Sequence, residues 1–147
     1  MSSSRGSGTA KWISFVTMVV GVIMIVAGAL TYANVSSTLS DQRITVSDDA
    51  SCLAGQPVSG PFAAYCQASI INHHALEATG GKTYAELDRD DPLRETAMTA
   101  SFLQASLYTS VVAFGVAFMA IGIGIVFVLV GVAVLNLAGR VGGAKAA

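Results

Sequence analysis

Charged residues are scarce in this chain, and their scarcity limits the protein classes to which it can belong. They make up 12% of its 147 residues, about half the share usual in soluble domains. An ordinary cytosolic enzyme is therefore not expected. A disordered chain is excluded as well, because disorder requires low hydrophobicity and high charge. The net charge of -1 supplies no overall attraction to nucleic acid, so we expect no nucleic-acid partner.

Two long stretches contain no charged residue at all. One lies between Lys11 and Asp41, and the other lies between Glu95 and Arg140. About 20 consecutive apolar residues cross the hydrocarbon core of a bilayer as a helix. The apolar runs within these stretches, 12–33 and 107–138, therefore predict two transmembrane helices.

The distribution of charge sign predicts the orientation of these helices. All nine acidic residues lie in the range from Asp41 to Glu95, whereas the charged residues of the tails 1–11 and 139–147 are all Lys or Arg. Since cytoplasmic flanks are enriched in Lys and Arg, we expect a plasma-membrane protein with both tails cytoplasmic and residues 34–106 extracytoplasmic. The alternative is a signal peptide cleaved after Ala33, but the first run exceeds the 7 to 15 apolar residues usual in such peptides.

The predicted fold class is an all-α membrane protein, a two-helix transmembrane hairpin with a small helical extracytoplasmic cap. Within the cap, Pro61 is placed to begin a helix, and the sequence 79–81 (TGG) is typical of a helix end. Thr83 and Glu86 fit a capping box, which predicts one further short turn of helix. Asp91, followed by Pro, is a start signal for a helix that continues into the second span. We expect the cap to pack on this outward extension.

The two cysteines of the chain, Cys52 and Cys66, both fall in the predicted extracytoplasmic cap. Disulfides persist outside the cytoplasm, and turn-forming glycine and proline residues lie between the two positions. We therefore predict that the two cysteines form a disulfide. A bridge across a loop of this length stabilises the fold by about 3 kcal/mol in the chain-entropy model.

Small residues recur every seven positions in both predicted spans. Such a repeat returns to nearly the same helix face and suits a left-handed crossing, and small side chains allow helix backbones to approach closely in lipid. We predict that the two stripes pack on each other, with Gly21 facing Gly124 and Gly28 near Ala117. The stripes are Ser14, Gly21 and Gly28 in the first span, and Ser110, Ala117, Gly124, Gly131 and Ala138 in the second. Chance alignment is the alternative, because glycine and alanine are common in membrane helices.

Two further groups of residues are candidates for contacts with other molecules. A second face of small residues, formed by Ala113, Ala120 and Gly122, is available to another protein or to a second copy of the chain. Four aromatic residues of the cap region are candidates to line a ligand cleft between the cap and the helices: Phe62, Tyr65, Tyr84 and Phe102.

The sequence offers no set of residues that predicts catalysis. Neither span contains an ionisable residue, although such residues usually mark transport paths and proton relays. The adjacent His73 and His74, with Cys52 and Cys66, invite a metal interpretation. However, neighbouring helical residues diverge by about 100°, and a disulfide excludes thiolate ligands. We therefore expect no catalytic residue, no metal, no cofactor and no enzymatic activity.

Several short blocks occur in a distinctive order in the middle of the chain: 44–50 (ITVSDDA), 53–55 (LAG), 60–62 (GPF), 74–76 (HAL), 81–88 (GKTYAELD) and 100–103 (ASFL). In these blocks the chain resembles a family of small actinobacterial membrane proteins with two membrane helices. The resemblance covers about half of the chain in matching blocks and all of it in layout. Members are often labelled aromatic ring-opening dioxygenases, which would imply non-haem iron held by two histidines and a carboxylate. The two histidines of this chain are adjacent, so its residues do not support that label.

Taken together, these features favour a non-catalytic accessory or structural subunit of a larger membrane complex of the cell envelope. The expected partners are the lipid bilayer and either other membrane subunits or a second copy of the chain. The alternative is an envelope protein that binds a lipid or another small molecule in the aromatic cleft.

Overall fold

The computed structural model describes residues 4–143 and contains three helices in that range. These are α1 (Ser4–Asp41), α2 (Pro61–Ala78) and α3 (Arg94–Gly143), and the described residues form no strand. The all-helical class and the two long apolar helices are thus confirmed. The parts of the predicted cytoplasmic tails at residues 1–3 and 144–147 lie outside the described residues.

Helix α1 continues eight residues beyond the predicted span 12–33, as far as Asp41. Hydroxyl side chains in this extension donate back to carbonyl oxygens one turn earlier, Thr38 to Asn34 and Ser40 to Ser36, each at 2.8 Å. Such bonds satisfy the hydroxyl groups without interrupting the helix. The extension therefore carries polar residues in helical conformation.

Helix α2 begins and ends at the predicted residues. Gly60 precedes it in extended conformation, and Pro61 occupies its first turn, where a missing N–H costs no hydrogen bond. At the other end, Gly80 and Gly81 have φ values of 66° and 87°. Their N–H groups donate to the carbonyl oxygens of Glu77 and Leu76. This is the Schellman arrangement, in which residues with positive φ satisfy the last carbonyl groups of a helix.

The start of α3 also follows the predicted signal. The carboxylate of Asp91 accepts a hydrogen bond from the N–H of Leu93 at 2.9 Å, and the helix begins at Arg94. The expected helical turn after Thr83 is absent, and the structure has hydrogen-bonded turns there. Half of the predicted capping box is formed, because the Glu86 carboxylate accepts from the backbone N–H of Thr83 at 2.8 Å. The N–H of Glu86 donates to the Thr83 carbonyl rather than to its hydroxyl, and that hydroxyl donates to the Glu86 carboxylate.

The described chain divides into two compact units. The paired-helix unit contains the part of α1 up to Thr31 and the part of α3 from Val116 onward. The middle unit, Tyr32–Gly115, contains the rest of both helices together with α2. The core of the middle unit joins all three helices and the loop before α2, and its α3 residues, Leu107 and Phe114, lie within the predicted span 107–138 rather than in the extension before it. Its buried residues are Leu39, Val46, Val58, Ala63, Ala64, Cys66, Ala68, Leu107 and Phe114.

A short pair of extended segments precedes α2 in the middle unit. Thr45 and Pro57 form an antiparallel bridge. The N–H of Val46 donates to the Gln56 carbonyl at 2.9 Å, and the N–H of Val58 donates to the Ile44 carbonyl at 2.8 Å. This pairing buries the side chains of Val46 and Val58 in the core.

Candidate functional site

The closest approach of the two long helices lies at Gly21 and Gly124 in the paired-helix unit. A Cβ atom added to either glycine would lie 2.6 Å from the carbonyl oxygen of the other. The hydrogen that occupies the Cβ direction is therefore aimed at that oxygen, which is the geometry of a weak Cα–H···O contact. Because real Cβ atoms do not approach backbone oxygens this closely, both positions require glycine at this helix separation.

The same register continues on both sides of this contact. A Cβ on Gly28 would lie 2.7 Å from the Ala117 carbonyl oxygen, and a Cβ on Gly131 would lie 2.9 Å from the Ser14 carbonyl oxygen. The two residue numbers of each pair add to the same value, as an antiparallel register requires. Burial follows the seven-residue spacing, since all six small residues that form these contacts are buried: Ser14, Gly21, Gly28, Ala117, Gly124 and Gly131.

The remaining stripe residues, Ser110 and Ala138, are half-buried. The Ser110 hydroxyl donates to the Ser106 carbonyl at 3.2 Å within α3. Ser14 similarly donates to the Ala10 carbonyl at 2.8 Å. The hydroxyl groups of both stripes are therefore satisfied within their own helices.

The surfaces of both helices away from this contact are apolar and exposed. Among the most apolar 18 residues of each helix, 17% are buried in α1 and 11% in α3. On α3, Gly122 has no atom within 4 Å of its Cβ position, and neither has Gly115 seven residues earlier. The other members of the predicted second small face, Ala113 and Ala120, are half-buried. The outward-facing glycines therefore interrupt a surface of bulky apolar side chains.

The disulfide predicted from the sequence joins Cys52 to Cys66, with a Cα–Cα distance of 5.8 Å. It links the loop before α2 to the first turns of that helix. Cys66 is buried and Cys52 packs against the core, so the bridge holds the extended pair and α2 together.

A polar chain of three residues ties the same loop to the far half of α2. The Ser47 hydroxyl donates to Asp49 at 2.6 Å, and the Nε2 atom of His74 lies 2.6 Å from the other Asp49 carboxylate oxygen. The Ser47 bond, followed by the His74 bond, lowers the pKa of Asp49 to about 2. The carboxylate therefore stays ionised at every ordinary pH.

Ser47, Asp49 and His74 are not arranged as a hydrolytic triad, because the serine contacts the carboxylate rather than the histidine. The neighbouring His73 lies 3.2 Å from Glu77 on its own helix. Within the residues described by the structure, no three His, Cys, Asp or Glu side chains are grouped to hold a metal ion. The two histidines instead bind separate carboxylates.

The four aromatic candidates for a ligand cleft have different surroundings. Tyr65 meets the ring of Tyr108 at 6.1 Å between centroids, whereas the Arg94 guanidinium lies 4.2 Å from the centre of the Tyr84 ring. Phe62 is 78% exposed and Phe102 is 75% exposed. Tyr65 and Tyr84 thus pack against different residues of α3, and the two phenylalanines are largely exposed.

Two cavities of about 580 Å³ each lie in the middle unit. The first, between α2 and α3, is lined by apolar residues that include Ile71 and Leu103 and also by His74 and Glu95. None of the four aromatic candidates lines it. The second lies between α1 and α3 and includes Phe102 but none of the other three.

The polar contacts between distant residues of the middle unit were not predicted from the sequence. Besides the Asp49–His74 pair, the amide of Gln104 donates to the Asn72 side chain at 3.2 Å. The members of these pairs lie 25 and 32 positions apart, and no local motif joins them.

No protein family, curated protein or solved structure matches this chain.

Proposed function

We propose that α1 and α3 cross a lipid bilayer as an antiparallel hairpin. The support is their exposed surface, because soluble monomers rarely expose apolar patches above a few hundred Å². Helices of soluble cores are mostly buried, whereas few residues of these two apolar stretches are. Hydrocarbon is the solvent that suits such a surface, and ridges of small residues are the usual contact between helices in it.

The contacts of α1 favour a retained helix over a cleaved leader. Gly21 and Gly28 lie against α3, and Gly131 lies against Ser14. Removal of α1 would leave the glycine positions of α3 without the backbone that they accommodate. We therefore propose that the mature protein keeps both spans.

For the orientation, we propose cytoplasmic tails and an extracytoplasmic segment 34–106, on the basis of the Lys and Arg residues in the tails. Reporter fusions after Ala50 and at Ala147 test this orientation. They should report opposite sides of the membrane. Activity of both fusions on one side, or a mature N-terminus after Ala33, would contradict the proposal.

The function that we propose is a non-catalytic accessory subunit of a larger membrane complex in the cell envelope. The observation that carries it is the open space at Gly115 and Gly122 on the face of α3 that does not contact α1. Glycine lowers helix stability relative to alanine by up to about 1 kcal/mol. Such residues on an outward face suit close contact with a helix of another membrane protein.

Purification from native membranes in a mild detergent tests this role. A protein should co-purify at a fixed ratio, and Gly122→Leu should abolish that association while leaving the chain folded. Val26→Leu is the control, since Val26 is exposed on the other helix. A second copy of the chain in the purified material would identify self-association instead. Equal recovery of the partner with all variants would refute the role of this face.

Binding of a lipid or small molecule is the second candidate, and the cavity between α2 and α3 favours it. Its volume of about 580 Å³ lies within the range of small-molecule sites. A lipid or metabolite that co-purifies without protein would support this role. A Leu103→Trp variant should fill part of the cavity, which Leu103 lines, and reduce the amount of that ligand.

A further inference from the structure

We infer that the N-terminal half of α2 lies in the headgroup region of the bilayer on the side of the middle unit, with Phe62 and Tyr65 in contact with phospholipid. This inference rests on the proposed membrane location. It assigns a membrane contact to a helix outside the two apolar spans, and it names lipid as the occupant of its exposed aromatic surface.

Two aromatic residues on consecutive turns of α2 are exposed. Phe62 is 78% exposed and Tyr65 is 54% exposed, whereas Ala63, Ala64 and Cys66 between and after them are buried. The inner face of this half of the helix is thus covered by the core of the middle unit. Its outer face presents two large rings and no partner that fills the space around Phe62.

Charged and aromatic residues are separated along the length of α2. The titratable residues of α2 besides Tyr65 and the bridged Cys66 are His73, His74 and Glu77, all within its last six residues. A helix surrounded by water normally carries charged residues along its whole outer face. Here the outer face is aromatic at one end and charged at the other, which suits a helix that passes from the membrane interface into water.

Two contacts inside the middle unit define the direction of α2 relative to α3. Tyr65 contacts Tyr108, and Asn72, two turns later, contacts Gln104. The first turns of α2 therefore lie toward Tyr108 of α3, close to the start of the predicted apolar run 107–138. The Ser36 hydroxyl donates to the Ser59 carbonyl at 2.7 Å and ties the same end to α1.

Phe62 lies about 4.5 Å further along the helix axis than Tyr65, since three residues rise about 1.5 Å each. The polar regions of a bilayer add about 5 to 8 Å on each side of the hydrocarbon core, so one helical turn spans most of that layer. Aromatic residues are enriched at this depth, where an apolar ring and a polar group are both accommodated. Tyr65 and Tyr108 supply the hydroxyl groups, and Phe62 supplies the purely apolar ring.

Tryptophan fluorescence in vesicles tests the inference, because Trp12 is the single tryptophan of the chain. The full chain is reconstituted in phosphatidylcholine vesicles that contain lipids brominated close to the headgroup. In a Trp12→Phe background, the indole introduced by Phe62→Trp should lose fluorescence on bromination and emit at shorter wavelength. The matched control is His73→Trp in the same background, on the same helix at a side chain that is 63% exposed. This control should be unaffected by bromination.

Quenching of Trp12 in the unmodified chain distinguishes a failure of this inference from a failure of the proposed membrane location. Quenching of Trp12 by the brominated lipids, with no greater quenching for Phe62→Trp than for His73→Trp, would overturn the inference and leave the membrane location intact. In that case the aromatic face faces water or a protein partner. Absence of quenching for Trp12 as well would refute the membrane location itself.

Discussion

Replacement of Gly124 by alanine is the sharpest test of the contact between the two long helices. The added Cβ would lie 2.6 Å from the Gly21 carbonyl oxygen and 2.8 Å from the Ile25 Cγ1 atom. A rotamer change can move the Ile25 side chain, but it cannot move the backbone oxygen. Ordinary contact begins near 3.4 Å, so the helices must separate by about 0.8 Å at this point.

Overpacking of this kind costs about 1 to 3 kcal/mol. Gly122→Ala is the matched control, because it makes the same chemical change two residues away, where no atom lies within 4 Å of the new Cβ. Both variants gain the same helix propensity, up to about 1 kcal/mol. The difference between them therefore isolates the cost of the contact.

Reversible unfolding in mixed detergent micelles, followed by circular dichroism, measures this difference. We expect Gly124→Ala to be less stable than Gly122→Ala by about 1 to 3 kcal/mol, a factor of roughly 5 to 150 in the unfolding equilibrium. Gly124→Leu should be destabilised further, whereas Val126→Leu should be nearly silent because Val126 is 54% exposed. Equal stability of the two alanine variants would show that α1 and α3 do not meet at this position.

Three further predictions concern the middle unit. Replacing Cys52 and Cys66 together by serine should lower the free energy of unfolding by about 3 kcal/mol, and intact-mass analysis of the alkylated, unreduced wild type should show no free thiol. The pKa of Asp49 should be about 2 in a carbon-13 NMR titration, and Ser47→Ala should raise it toward 3.8. Because this pKa is lowered by folding, its contribution to stability is complete above about pH 4 and is lost as the pH falls through about 2. Phe114→Ala should destabilise by about 3 to 5 kcal/mol in thermal or denaturant unfolding, since Phe114 is fully buried; a loss below 1 kcal/mol would contradict its place in the core.

The positions of helices and their ends follow from local features of this sequence. Pro61, the glycines of 79–81 and Asp91 act through their own backbone geometry or through a carboxylate two residues from its donor. Such effects require no distant partner, so a sequence pattern is sufficient to predict them. The charge-free runs are predictable for the same reason. In an apolar environment, a stretch without charges or prolines satisfies its own backbone N–H and C=O groups by forming a helix.

The register of the long helices also has a sequence basis. Small residues spaced by seven place one narrow stripe on each helix, and an antiparallel pairing of the two stripes leaves few alternatives. The structure places Gly21 against Gly124 and Gly28 against Ala117. The disulfide is similarly determined by the presence of just two cysteines.

Only the tertiary structure decided which distant residues of the middle unit contact one another. The sequence indicated α2 but did not indicate that His74 would bind Asp49 or that Tyr65 would meet Tyr108. It also suggested one cleft for four aromatic residues that have separate surroundings, with Tyr84 beneath Arg94. Helical periodicity describes which residues share a face, but it does not describe the direction in which one helix crosses another. That direction depends on how the core side chains of all three helices fill space together.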